Sequence, residues 1–205
     1  MDILDSKAAR TRRRILDVSA RVFAEQGYGG ASLRRIAADA GLQVGSLYFH
    51  FPTKDELVAA TLVDGVDSAR AALQKAIDSV PDDAPALDRL RAAIRGHLEA
   101  LHASDDRAAA VVRMVETLPP HLRSAHVVHE RRFARVWQEV LERGRHAGVV
   151  RTDVDPRTLR DLVVGALNST STNNPAAKKD LGAVTEAVLT LLQPTVHPPG
   201  SPIRR

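Results

Sequence analysis

The 205-residue chain has no cysteine, few aromatic residues and no long apolar segment. The absence of cysteine excludes disulfide bonds and thiolate chemistry, and it is typical of a protein of the cytoplasm. No apolar segment approaches the roughly 20 residues that a membrane-spanning helix needs. The first seven residues lack the apolar core of a secretory signal. We therefore expect a cytoplasmic protein with no membrane partner.

The charges are nearly balanced, with 29 Lys and Arg against 25 Asp and Glu, so the net charge of +4 permits nucleic-acid binding without requiring it. Their placement is more informative than their sum. Basic residues crowd the start of the chain: Lys7, Arg10, Arg12, Arg13 and Arg14. A second basic set is interrupted by Glu139 and Glu142, and we interpret it as a solvated helix face: Arg131, Arg132, Arg135, Arg143 and Arg145.

The seven aromatic residues are unevenly placed, because five of them lie between residues 23 and 51. Apolar residues at helical spacing predict a first helix that ends at Gly27 with a left-handed cap, followed by a break over residues 28–30. Ser32 stands at an N-cap position before a second helix, and a short third helix is predicted over Val44 to His50.

The second and third helices have the residue types of a helix-turn-helix. Ala37 is small enough for the next helix to approach, Gly41 permits the positive φ of the turn, and Leu47 points back into the shared core. A short helix that projects from a small core fits a major groove, which is about 12 Å wide.

The segment ASLRRIAADAGLQVGSLYFHFPTKDELV resembles the TetR family of transcriptional regulators over nearly its full length. The matching positions are Ser32, Ile36-Ala37, Ala40-Gly41-Leu42, Gly45, Leu47-Tyr48, Phe51 and Thr53-Lys54-Asp55-Glu56-Leu57. Thr53 and Glu56 also form the pattern of a capping box for a fourth helix. The resemblance implies a DNA-binding head in which the third helix reads bases and its neighbours hold phosphates.

The resemblance assigns DNA contacts to the exposed positions of the head. These are Ser32, Arg34, Arg35, Gln43, Val44, Gly45, Ser46, Tyr48, Phe49, His50 and Lys54. Gln43 has the chemistry to pair with adenine, and Val44 to pack on a thymine methyl group. Both positions depart from the family pattern, as does Arg35, where an acidic residue is common. We hypothesise that Arg34, Arg35 or both reach DNA, which would offset the unfavourable position of a cation at a helix N-terminus.

Six further helices are predicted after residue 52, which gives an all-α, nine-helix chain. The predicted bounds are 53–80, 87–101, 106–118 and 121–146, an eighth helix from Asp155-Pro156, a polar loop over 169–174, and a ninth helix over 181–192. We expect a DNA-binding domain over 1–52, a ligand-binding and dimerisation domain over 53–193, and a disordered tail over 194–205. The layout matches the three-helix head and six-helix body of TetR proteins.

In that family the eighth and ninth helices pair with those of a second copy, so we expect a homodimer. Residues suited to this interface are Val163, Gly165, Ala166, Ala183, Ala187 and Val188. The resemblance also implies that a small molecule binds within the body and lowers operator affinity, without any cofactor or metal. The candidate pocket residues are Met114, Thr117, Leu118, His121, Phe133, Trp137 and Asn168. Plain core packing is the alternative for each of them.

The function predicted is a ligand-responsive regulator, most simply a repressor released from a palindromic operator by a small apolar molecule. The VVGALNST segment resembles regulators of lipid or sterol catabolism, some of which respond to acyl-CoA thioesters. The alternatives are a metal sensor using His121, His126, His129 and Glu130, and a ligand-independent architectural DNA-binding protein. An enzyme built on Ser46, His50 and Asp55 lacks the strand and nucleophile elbow that such a triad needs, so we expect no catalysis.

Overall fold

The computed structural model describes residues 7–103, 107–115, 118–172 and 180–194. Within these ranges the chain forms nine α-helices and no β-strand, which confirms the predicted fold class. Their bounds are α1 Lys7–Gly30, α2 Leu33–Asp39, α3 Val44–His50, α4 Lys54–Asp78, α5 Ala86–Leu101, α6 Arg107–Val115, α7 Val127–His146, α8 Pro156–Thr172 and α9 Leu181–Leu192. None of the described helices is both long and apolar enough to cross a membrane.

The first helix is interrupted at Gly27, the residue at which the sequence pattern predicts its end. Gly27 has a positive φ of 66°, but its ψ of 177° is extended, so it introduces a kink rather than a left-handed cap. Helical structure resumes after the kink and continues to Gly30, and the Gly27 carbonyl accepts a hydrogen bond from the amide of Ala31 at 3.2 Å. The predicted break over residues 28–30 is therefore wrong, and these residues form a last helical turn.

The helix-turn-helix prediction is confirmed in its detail. Gly41 has a φ of 63° and ends α2 in a Schellman motif. The amide of Leu42 donates to the Ala37 carbonyl at 2.8 Å, and the amide of Gly41 donates to the Ala38 carbonyl at 2.9 Å. Ala37 and Leu47 are fully buried, so α3 is anchored on one side and its opposite side stays open to solvent.

Two apolar clusters form most of the core. The first joins the head to the body, because Leu47 and Phe51 share it with Leu57 and Leu62 of α4 and Met114 of α6. The second joins α4, α5, α7, α8 and α9 and includes Trp137. The head therefore has no separate core, and a displacement of α4 bears directly on the packing of α1 and α3.

The body departs from the predicted bounds at α6 and α7. Leu118, predicted as the end of the sixth helix, is not helical, and Asp106 lies outside the described residues. The seventh helix begins at Val127 rather than His121. Proline residues at 119 and 120 instead begin a 3-10 helix over Pro120–Leu122, which is followed by turns closed by hydrogen bonds between residues three apart.

The eighth helix extends to Thr172 and so replaces the start of the predicted polar loop. The hydroxyl groups of its last four residues each donate to the carbonyl three residues earlier. The bonded pairs are Ser169 to Ala166 at 2.7 Å, Thr170 to Leu167 at 2.6 Å, Ser171 to Asn168 at 2.9 Å and Thr172 to Ser169 at 3.4 Å. These bonds give each hydroxyl group a partner within the helix, so the run of small polar residues is compatible with helical structure.

Candidate DNA-binding surface and effector cavity

The third helix presents the predicted base-reading residues on an open surface. Phe49 is 84% exposed and Tyr48 is 47% exposed. Gln43, at the N-cap of α3, is also exposed, whereas Val44, Ser46 and His50 are half-buried. The ring of Phe49 contacts that of His50 edge to face, with centroids 5.5 Å apart.

Gly45 lies on the same surface, and the free protein does not require a glycine there. A Cβ atom built at this position meets no atom within 4 Å, and the backbone needs no positive φ. The fold of the free protein therefore gives no reason for a glycine at this position.

Arg34 and Arg35 are both exposed at the start of α2, but they differ in their contacts. The Nε of Arg35 lies 2.6 Å from Oδ2 of Asp39, and this hydrogen bond raises the pKa of the guanidinium group. Ser32 occupies the predicted N-cap position, but its hydroxyl makes no capping hydrogen bond. The Ser32 hydroxyl and the Arg34 guanidinium are thus available at the N-terminal end of α2.

The start of α4 carries several contacts to the head. Thr53 caps the helix as predicted, because its hydroxyl accepts a hydrogen bond from the amide of Glu56 at 3.1 Å. The ammonium group of Lys54 lies 4.5 Å from the centre of the Tyr28 ring.

Asp55 connects three segments of the chain. Its Oδ1 accepts a hydrogen bond of 2.6 Å from the Tyr28 hydroxyl in the last turn of α1. Its Oδ2 lies 3.0 Å from Nε2 of His121 in the 3-10 helix. These two hydrogen bonds hold the pKa of Asp55 below its usual range, with the Tyr28 bond as the larger cause. His121, predicted as a pocket residue, is therefore exposed and bonded at this junction.

A cavity of about 390 Å³ lies among α4, α5, α6, α7 and α8. Of the predicted pocket residues, Phe133 and Asn168 line it. Met114, Leu118 and Trp137 are buried but are not among its lining residues, and Thr117 lies outside the described residues. Most of the lining is apolar: Val66, Ala69, Leu101, Val111, Val112 and Val164.

His97 also lines the cavity, and the sequence reasoning missed it. It is 1% exposed, and its Nε2 lies 3.1 Å from Oδ1 of Asn168. Its ring contacts Phe133 edge to face at 5.3 Å between centroids and lies 5.7 Å from Trp137. Burial lowers the pKa of His97 to about 4, so it is neutral at physiological pH. Its position on the apolar stripe of α5 is the sequence feature that could have identified it as a buried polar residue.

An arginine-lined groove of about 490 Å³ adjoins the cavity between α7 and α8. Glu130, Ala134 and Arg160 line both spaces, so the two are adjacent. The groove contains four arginines against two glutamates: Arg131, Arg135, Arg157 and Arg160 against Glu130 and Glu142. Two of the five arginines that we interpreted as a solvated face, Arg131 and Arg135, thus line a groove together with arginines from another helix.

Comparison with known sequences decides the family. A profile described as bacterial regulatory proteins of the tetR family matches residues 15–61, and one described as a tetracyclin repressor-like C-terminal domain matches residues 83–172. The HTH-type transcriptional repressor KstR2 of Rhodococcus jostii (strain RHA1) is 32% identical over 165 residues, which cover 78% of this chain and 79% of KstR2. The chain belongs to the TetR family of transcriptional regulators.

Solved structures of TetR-type regulators share this fold. FadR from Bacillus subtilis, solved in complex with stearoyl-CoA, superposes with a TM-score of 0.74 at 22% identity, covering 90% of this chain and 99% of FadR. AibR, solved in complex with isovaleryl coenzyme A and operator DNA, gives a TM-score of 0.74 at 20% identity, covering 89% of this chain and 98% of AibR. These likenesses confirm the predicted nine-helix TetR architecture.

The histidines weighed as metal ligands in this TetR regulator each face a different carboxylate. His126 Nε2 lies 2.9 Å from Glu130 and His129 Nδ1 lies 2.9 Å from Asp67, while His121 bonds Asp55. Within the part of the chain that the structure describes, no three histidine or acidic residues are grouped to hold a metal ion.

The outer face of α8 and α9 combines large apolar and small residues. Leu162 is 61% exposed and Leu191 is 67% exposed. Four of the residues predicted for a dimer interface are exposed beside them in sequence: Gly165, Ala166, Ala183 and Ala187. Val163 and Val188 are instead buried in the second core cluster of the regulator.

Proposed function

We propose that this TetR regulator is a homodimeric repressor that leaves a palindromic operator when an acyl-CoA binds to its body. The observation that carries the proposal is that an apolar cavity lies next to an arginine-lined groove and shares lining residues with it. An acyl-CoA has the matching chemistry, since an apolar chain is joined to a phosphate-rich head. A purely apolar effector would leave the groove without a role.

The cavity fits an acyl chain of medium length. Water occupies about 30 Å³ in the liquid, so about 390 Å³ has room for roughly 13 water-sized groups. Burial of an apolar chain contributes about 0.8 kcal/mol for each methylene group removed from water.

The groove fits the phosphates of a CoA head group. Arg131 and Arg135 are exposed on α7, and neither has an ion-pair partner among the residues that the structure describes. Arg160 already contacts Asp161 at 2.7 Å. Because Arg160 lines both the cavity and the groove, it lies where the acyl chain of the ligand would meet the CoA head group. Guanidinium groups bind phosphate with paired hydrogen bonds, which makes arginine the fitting residue here.

The relatives support the same effector class. FadR was solved with stearoyl-CoA and AibR with isovaleryl coenzyme A, and both share the fold of this chain. The AibR structure also contains operator DNA, which supports DNA binding through a head of this kind.

The DNA-binding face consists of the third helix and the residues around it. Base contacts come from Gln43, Val44, Gly45, Ser46, Phe49 and His50, and phosphate contacts from Ser32, Arg34, Arg35, Tyr48 and Lys54. A twofold dimer through α8 and α9 places two such heads on the half-sites of a palindrome. Arg35 must exchange Asp39 for a phosphate to take part.

Helix α4 links the two sites. Gly65, Val66 and Ala69 line the cavity, while Lys54 and Asp55 contact the head at the other end of the same helix. An effector that displaces α4 changes the placement of the heads and lowers operator affinity. Operator DNA must then weaken effector binding by the same factor, because the coupling free energy is shared.

The test is calorimetric titration of the purified protein with dodecanoyl-CoA, free CoA and dodecanoate. We expect dodecanoyl-CoA to bind most tightly and to release a labelled operator.

Arg135→Glu should lower the affinity for dodecanoyl-CoA at least tenfold and leave the affinity for dodecanoate unchanged, because charge-assisted hydrogen bonds contribute about 1.5–3 kcal/mol. Arg132→Glu is the matched control, since Arg132 is exposed on the same helix but lies outside the groove. Equal effects of the two variants would count against phosphate binding in the groove.

The alternatives have less support. The separate carboxylate partners of His121, His126 and His129 disfavour a metal sensor. An architectural DNA-binding protein has no need of an apolar cavity next to a charged groove. A footprint on one palindrome that disappears with dodecanoyl-CoA, but not with zinc or nickel, would separate the three functions.

A further inference from the structure

His97 lines the cavity, and one of its ring nitrogens is buried without a hydrogen-bond partner among the described residues. The polar residues that line the cavity but not the groove are His97, Asn168 and Asp161, and the Asp161 carboxylate is paired with Arg160. The Nδ1 atom of His97 is fully buried and makes no hydrogen bond to the described residues. An unsatisfied polar atom in a buried site costs free energy, and a ligand that satisfies it recovers that cost.

The Asn168 contact fixes the tautomer of this histidine. The side-chain carbonyl oxygen of Asn168 only accepts hydrogen bonds, so the His97 Nε2 that faces it at 3.1 Å carries the hydrogen. In the neutral ring Nδ1 is then a lone-pair acceptor. Contacts with Phe133 and Trp137 hold the ring in this orientation.

We propose that His97 selects the effector by accepting a hydrogen bond at Nδ1 from a hydroxyl or N–H group on an otherwise apolar chain. This inference rests on the proposed effector function of the cavity and narrows the effector class to hydroxylated acyl chains. A ligand carbonyl or ether at the same point is disfavoured, because two acceptors face each other without a hydrogen between them.

The test compares four thioesters that share one head group: dodecanoyl-CoA, 3-hydroxydodecanoyl-CoA, 12-hydroxydodecanoyl-CoA and 3-oxododecanoyl-CoA. Calorimetry should show one of the hydroxylated thioesters binding roughly three- to tenfold more tightly than dodecanoyl-CoA, the gain from one added hydrogen bond. The 3-oxo thioester should bind no better than dodecanoyl-CoA.

Variants at His97 test whether this residue causes the preference for a hydroxylated thioester. His97→Phe should abolish that preference, and His97→Gln, which retains an acceptor oxygen, should keep part of it. If His97→Phe does not fold, the comparison of His97→Gln with the unchanged protein decides whether His97 causes the preference. Val164→Ala is the matched control, because it removes apolar contact in the cavity and should weaken all four thioesters equally.

The outcomes separate this inference from the proposed function. Binding of dodecanoyl-CoA with no gain for either hydroxylated thioester overturns the role of His97 alone, as does a gain that survives His97→Phe. If no thioester binds, the acyl-CoA proposal fails, and the His97 inference is decided with 1-decanol and its methyl ether. Equal binding of those two compounds overturns it.

Discussion

The Tyr28 hydroxyl donates a hydrogen bond of 2.6 Å to Oδ1 of Asp55, across the junction between the DNA-binding head and α4. Tyr28 lies just after the kink at Gly27, and Asp55 lies in the first turn of α4. The bond raises the pKa of Tyr28 and lowers that of Asp55. Because Asp55 also faces His121, the carboxylate is the shared contact of the head, α4 and the segment before α7.

Tyr28→Phe should weaken the transmission of effector binding to the head. The variant keeps the ring beneath Lys54 and removes only the hydrogen bond to Asp55. We expect the factor by which dodecanoyl-CoA lowers operator affinity to shrink roughly two- to tenfold, a change typical of residues along a coupled contact. Fluorescence anisotropy of a labelled operator, with and without the thioester, measures this factor.

Tyr48→Phe is the control for that experiment. It removes a hydroxyl from the exposed surface of α3, so it should lower operator affinity while leaving the response to effector unchanged. If both tyrosine variants left the response intact, Asp55 would have no part in the coupling.

Gly45→Ala should separate folding from DNA binding. The added methyl group meets no atom within 4 Å, and alanine is a better helix former than glycine by up to about 1 kcal/mol. We expect an unchanged or higher melting temperature together with operator affinity lowered at least tenfold, because the methyl group occupies space that DNA needs. Circular dichroism and anisotropy measure the two quantities. Undiminished affinity would mean that DNA does not approach α3 at this position.

The sequence predicts the helices well where one periodic stripe or one turn residue determines them. Gly41 fixes the turn of the helix-turn-helix through its positive φ, and Ala37 and Leu47 are buried as the pattern requires. It fails where polar side chains find hydrogen-bond partners within a helix, as the hydroxyls of residues 169–172 do at the end of α8.

The cavity is harder to predict because several helices contribute to it. Trp137 and Met114 are large side chains on plausible helices, yet the rotation of those helices places them in the core. His97 interrupts an apolar stripe, and only tertiary packing brings it to Asn168, 71 positions away. The groove likewise joins Arg131 on α7 to Arg157 on α8, a proximity that spacing alone does not reveal.

Leu162→Glu and Leu191→Glu should each convert the proposed dimer into a monomer. Both leucines are more than half exposed on the outer face of α8 and α9, so the charge is tolerated by the monomer but is buried in the dimer. Sedimentation velocity should show the monomer mass, and operator affinity should fall steeply because each monomer holds one half-site. Val128→Glu is the matched control on α7, where the valine is 57% exposed. An unchanged dimer in both leucine variants would place the interface elsewhere.

The stability of the protein should fall as the pH is lowered, through the titration of His97. Its pKa is about 4 in the folded protein because of burial, against 6.5 in the unfolded chain. Between these values the unfolded chain binds a proton that the folded protein excludes, so the contribution is fully present above pH 6.5 and is lost as the pH falls towards 4. The loss by pH 5 is on the order of 2 kcal/mol.

Urea unfolding at pH 7.5 and at pH 5 gives the free energy of unfolding of the unchanged protein and of His97→Gln. The decrease between the two pH values should be smaller in His97→Gln by the contribution of His97. His146→Gln, at an exposed position, should retain the full pH dependence. If His97→Gln retained it as well, the pKa of His97 in the folded protein would not be lowered by burial, and the pH dependence would come from other groups.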